Sequence, residues 1–111
     1  MVYDFKITDE IYKATIRVII GKPQAYALRE WEGLGGEELR EGHNDGITLT
    51  GDHLQVIIWM EKLDYGVLIH ELNHATWHIL RTCMIKPSAK TEEAYCYYLG
   101  FLFSECKKRL T

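Results

Sequence analysis

Residues His70-Glu71-Leu72-Asn73-His74 combine side-chain types and a spacing that suit metal-assisted hydrolysis. On a helix, residues four apart share one face, with Cβ atoms about 5–6 Å apart. Two imidazoles held that way can each place a ring nitrogen about 2.0–2.1 Å from a single zinc ion. Glu71 directly follows the first histidine, so its carboxylate can stand beside a metal-activated water without binding the metal. Zinc lowers the pKa of such a water toward about 7, and a neighbouring carboxylate can take its proton.

A zinc centre of this kind needs a third protein donor. A histidine in an HExxHxxGxxH arrangement is excluded, because Trp77 stands where that pattern needs glycine and Leu80 where it needs histidine. His78 extends the stripe 70, 74, 78. At 1.5 Å per residue it lies about 12 Å along the axis from His70, too far to share one metal in a straight helix. A role lining the cleft, or packing in the core, is expected for it. The segment Thr91–Leu102 offers Glu92 and Glu93, 18 and 19 residues after His74. Adjacent helical residues point about 100° apart, so only one of the two can face a metal.

This order resembles the gluzincin branch of zinc metallopeptidases: HExxH, a short connection, then a glutamate on the next helix. In that branch the ligand glutamate is often followed by a small residue three positions on and a polar one at four. Glu93 fits that frame, with Cys96 and Tyr97 in those places. The run 67–102, about a third of the chain, is similar to very small zincin-like proteins encoded by tailed phages and prophages. The resemblance implies a zinc-dependent hydrolase that cleaves peptide bonds. Zn2+ would be its cofactor, with His70, His74 and Glu93 as ligands, Glu92 as the alternative third ligand and Glu71 as general base. It also implies that a peptide or protein substrate lies extended along the strand before the active-site helix, here 53–60, through main-chain pairing. Tyr95, Tyr97 and Tyr98 cluster beside the proposed ligand; one of them, with Tyr97 the candidate, can donate a hydrogen bond to an oxyanion. The same scaffold admits a second reading, a non-catalytic zinc-stabilised module that binds another protein.

The elements that must position these residues follow from periodicity. Ala14, Ile16, Val18 and Ile20 alternate with polar residues, which predicts a strand over 12–20. Pro23 suits the first turn of a short helix over 23–32. Residues 33–46 hold five of the nine glycines and are expected to form a long loop. Residues 47–60 read as a hairpin, with arms 47–50 and 53–60 joined by a two-residue turn at Gly51-Asp52. Asp64 can cap a helix from Tyr65 to about Arg81, and Ser88 or Thr91 a last helix through Phe103 and as far as Lys108. The expected fold is α+β and minimal zincin-like. It has a sheet of about three strands, an N-terminal helix, the HExxH helix and a C-terminal ligand helix, in one domain spanning 1–111.

Composition sets the outer limits. With 111 residues there is length for one domain. A net charge of −3 with no basic block argues against nucleic acid as partner. The longest apolar runs fall well short of the about 20 residues that span a bilayer, so no membrane partner is expected. The N-terminal residues lack a basic start and a following apolar stretch, so no secretory leader is expected. Cys83, Cys96 and Cys106 are odd in number and lack a CxxC spacing, which argues against a disulfide scaffold. The expected location is cytoplasmic, within a bacterial host if the chain is phage or prophage encoded.

Overall fold

Alternating side chains build the first two strands. In Tyr3–Thr8 (β1), Tyr3, Phe5 and Ile7 turn inward while Asp4, Lys6 and Thr8 stay exposed. Thr15–Ile20 (β2) pairs with β1 antiparallel, setting Ile7 opposite Ile16 and Phe5 opposite Val18. The remaining elements of the computed structural model, which describes residues 1–111, are Gln24–Gly33 (α1), Gly46–Leu49 (β3), Gln55–Met60 (β4), Tyr65–Thr82 (α2) and Glu92–Leu110 (α3). β4 pairs antiparallel with β3 and parallel with β2, giving a four-stranded mixed sheet in the order β1-β2-β4-β3. The fold is α+β with four strands, where sequence periodicity pointed to about three. The added strand is β1, only six residues long.

Parallel pairing of β2 with β4 requires a crossover between them, and the chain supplies it with α1 and the glycine-rich loop. Both central strands are therefore covered on both faces. Ile16, Val18 and Ile20 of β2 pack with Val56, Ile58 and Met60 of β4 under α2 and α3. Ile19, Ile57 and Trp59 face the other way, against Ala27, Leu28 and Trp31 of α1. This explains the unbroken apolar run Val56–Met60. The two arms at 46–60 do form an antiparallel pair, but Thr50–Leu54 separates them rather than a two-residue turn. His53 organises that connection: its Nδ1 accepts from the Gln55 N–H at 3.1 Å, and its carbonyl oxygen accepts from His78 Nε2 at 2.9 Å. No helix is long and apolar enough to cross a membrane.

Both ends of α2 are fixed. Asp64 accepts hydrogen bonds from the N–H groups of Gly66 and Val67, at 2.9 and 3.2 Å. That sets the phase of every later side chain on the helix. At the other end, Ile85 N donates to the Leu80 carbonyl and Met84 N to that of Arg81. This is a Schellman closure, with the apolar pair Leu80 and Ile85 packed inside it. Met84 occupies the left-handed position at φ 67° and is 78 % exposed. The Tyr95 hydroxyl then donates to the Ile85 carbonyl, which ties the first turn of α3 to this closure.

Two further groups fasten β1. Asp9 lies buried at the end of β1 and accepts from Tyr98 Oη of α3 at 2.7 Å and from Tyr12 N at 2.5 Å. On the opposite face, Arg17 bridges Asp4 at 2.7 Å and Glu30 of α1 at 2.6 Å. The Arg17 guanidinium holds the Asp4 carboxyl below its ordinary value of 3.8.

Met84→Gly is expected to stabilise the fold by about 1 kcal/mol in urea unfolding, because glycine adopts the left-handed conformation without steric cost. An unchanged or lower midpoint would mean that the Met84 side chain contributes contacts that outweigh the strain. The Asp4 contribution has the sign of a lowered carboxyl. It is complete above the unfolded value and is lost as pH falls through the folded one. Asp4→Asn should therefore cost stability at pH 7 and flatten the decline below about pH 4, measured by urea unfolding across that range.

Candidate active site

α2 delivers the histidine pair to the surface. His70 Nε2 and His74 Nε2 stand 3.2 Å apart, with the rings nearly perpendicular at 80°. Two nitrogens bound tetrahedrally to one zinc at 2.0–2.1 Å lie about 3.3–3.4 Å apart, so the pair already has the spacing of two ligands. The His70 side chain is 68 % exposed and open to an incoming group.

Glu71 points to the other side of the pair, toward β3, and is only 6 % exposed. Its Oε1 accepts from the Thr48 hydroxyl at 2.8 Å, and its Oε2 lies 3.9 Å from His70 Nε2. The same hydroxyl lies 3.1 Å from the Glu71 carbonyl oxygen. A single hydroxyl proton favours the charged and nearer carboxylate. One carboxylate oxygen is thus anchored and the other faces the histidine pair, the position a general base requires.

The approach of β3 to α2 depends on Gly46. A Cβ built there would lie 2.7 Å from Val67 Cγ1 and 3.2 Å from Glu71 Cγ. Any side chain at 46 would push the helix away from the strand. Two depressions flank this contact and share His70 and Glu71. One, about 420 Å³, runs past His43, Asn44 and Asp45; the other, about 390 Å³, runs past Thr48, Thr50 and His74. Together they form an open groove between β3 and the first half of α2. Its far wall is the loop segment 42–45. The buried Gln24 amide pins that segment, accepting from Gly42 N at 2.7 Å and donating to Gly42 O at 3.3 Å.

The other expected site residues lie elsewhere. His78 Nε2 donates to the His53 carbonyl and braces the connection before β4. Tyr97 is 75 % exposed on the flank of α3 that faces the β1–β2 connection, and is not brought to the histidine pair. Glu92 borders a shallow depression with Trp77 and Tyr95, on the flank of α3 that meets α2. Glu93, the next residue round the helix, is exposed and outside that depression. No set of three or more His, Cys, Asp or Glu side chains converges on one point. The structure thus brings His70, His74 and Glu71 together, and neither Glu92 nor Glu93 joins them.

The strand expected to receive substrate, 53–60, is also displaced. β4 is hydrogen-bonded on both sides, to β2 and to β3, and has no free edge. The open edge beside the histidines belongs to β3. The sequence alone does not mark Thr48 as a site residue. Thr48 was detectable only as a hydroxyl on the strand nearest the motif, with no spacing to mark it.

No protein-family model, curated protein or solved structure matches this chain. The chemistry is therefore read from α2 and β3 themselves.

Thr48→Val keeps the strand and the volume but removes the only side-chain donor to a buried carboxylate. It should destabilise the protein by about 1–3 kcal/mol in urea unfolding, while Thr48→Ser stays near wild type. Equal stability of the Val and Ser variants would show that the hydroxyl does not anchor Glu71.

Proposed function

We propose that the chain is a zinc-dependent hydrolase that cleaves peptide bonds. The observation that carries this reading is the arrangement on α2: two histidine nitrogens 3.2 Å apart beside a buried, anchored Glu71. His70 and His74 would hold the ion, with a third ligand from the first turn of α3, Glu93 or Glu92. Bound there, zinc would supply a Lewis acid for the scissile carbonyl and acidify a water.

The residues of the chain divide the remaining work. Glu71 accepts the proton of the attacking water and then delivers it to the leaving amine. Its burial and the Thr48 hydrogen bond keep the carboxylate pointed, so the proton moves over a short, fixed path. The free edge of β3 offers main-chain groups to an extended peptide, which would align its carbonyl over the histidine pair. Loop 42–45 and the first turns of α2 bound the groove on either side.

The tests separate metal from catalysis. Protein made without a histidine tag should carry about one zinc per chain, and His70→Ala or His74→Ala should remove it. Glu71→Gln should keep zinc and lower cleavage of an unstructured protein by at least about 100-fold. Comparison of Glu92→Gln with Glu93→Gln for zinc retention identifies the third ligand. A wild-type chain that holds no zinc sinks the reading. A chain that holds zinc but cleaves nothing in a broad peptide library is instead a zinc-stabilised binding module.

A further inference from the structure

We propose that the groove between α3 and the β1–β2 connection binds a protein partner through a segment carrying arginine between apolar residues. The groove encloses about 510 Å³, and six of its ten lining residues are hydrophobic. Its floor is aromatic: Tyr12 meets Tyr98 edge-on at 5.5 Å between ring centres, and Tyr98 lies 6.1 Å from Phe101. Its two lips are Ile11 and Tyr97, which are 81 % and 75 % exposed. Side chains this large and this exposed, facing each other across a cleft, form an apolar patch of the kind that marks interaction sites.

Charge selects the occupant. Three carboxylates line the groove, from Asp9, Glu10 and Glu105, and no basic side chain does. Asp9 is 4 % exposed, and its donors are neutral: the Tyr98 hydroxyl and the N–H groups of Tyr12 and Ala14. Asp9 is thus already satisfied, and the carboxylates open to an incoming cation are Glu10 and Glu105. Glu10 and Glu105 each contact a lysine three residues along the chain, Lys13 at 3.4 Å and Lys108 at 2.6 Å. Both lysines are well exposed, and such pairs contribute little. An incoming guanidinium can displace them, because it binds carboxylate bidentately and stacks on tyrosine faces, as ammonium does less well. An arginine with apolar neighbours satisfies the rim and the floor together.

The groove adjoins β1, and the histidine pair adjoins β3. These are the two outer strands of the sheet, three strand spacings or about 14 Å apart. The partner site is therefore distinct from the proposed hydrolytic groove and can be occupied independently of it.

The experiment uses the full chain, 15N-labelled, titrated with the acetylated peptide Gly-Leu-Arg-Leu-Arg-Leu-Gly-amide and its counterpart with glutamate for arginine. The arginine peptide should shift the amides of Ile11, Ala94, Tyr97 and Phe101, and bind at least tenfold more tightly than the glutamate peptide. Glu10→Lys combined with Glu105→Lys should abolish that preference. Equal binding of the two peptides overturns the proposal, as does an absence of shifts at these amides. Sedimentation decides a third outcome: a dimer that Tyr97→Asp dissociates would assign the face to a second copy of the chain. Should the double variant fail to fold, the comparison of the two peptides on wild type still decides.

Discussion

Everything at the candidate site depends on how closely β3 lies against α2. Glu71 is a carboxylate on a helix face turned into the protein, where an ionised group without a partner costs several kcal/mol. Its partner is a hydroxyl on a neighbouring strand, Thr48. That hydrogen bond requires strand and helix to approach nearer than two side chains would allow, and Gly46 removes one of them. The contact performs two tasks. It compensates a buried charge, and it turns that charge toward the histidine pair. The same interaction that makes the site stable thus gives it direction.

Sheet order makes the contact available. Had β4 been the outer strand, its run Val56–Met60 would have presented a flat apolar edge to solvent, a known aggregation hazard. The crossover through α1 instead places β4 in the interior and leaves the short β3, only four residues, as the open edge. A short edge limits unwanted pairing. The glycine-rich loop serves this arrangement too. Gln24 grips Gly42 through both ends of its side-chain amide and so ties the loop before β3 to α1.

Legibility in the sequence followed how local each signal was. The α2 helix was readable because the cap at Asp64, the apolar periodicity and the histidine spacing all lie within one element. β1 carries the same period-two alternation as β2, Tyr3, Phe5 and Ile7 against Asp4, Lys6 and Thr8, so its signal lies in the sequence although the expected sheet of about three strands leaves it out. The two-residue turn expected at Gly51-Asp52 gives way to a longer connection because His53 is held by His78, a residue 25 positions away. The same bond explains why His78 belongs to the scaffold. The open edge could not be read at all, since strand order is a property of the whole chain. A continuous apolar run at 56–60 was the available hint, because burial on both faces belongs to interior strands.

The connection between α2 and α3 sets where Glu92 and Glu93 stand. The Schellman closure at Met84 and the Tyr95–Ile85 hydrogen bond fix where α3 starts, so neither Glu92 nor Glu93 is free to slide along its axis. Thr91 caps the first turn of α3 without a side-chain bond to the helix, its hydroxyl donating instead to the Lys86 carbonyl. The first turn is thus held through Thr91 and Tyr95, while Tyr98, Leu102 and Cys106 further along the helix pack in the core. On the proposed zinc reading, a metal joining this turn to His70 and His74 would add a cross-link between α2 and α3. In a chain whose three cysteines are all unpaired, that cross-link would be the one covalent-strength tie between the two helices.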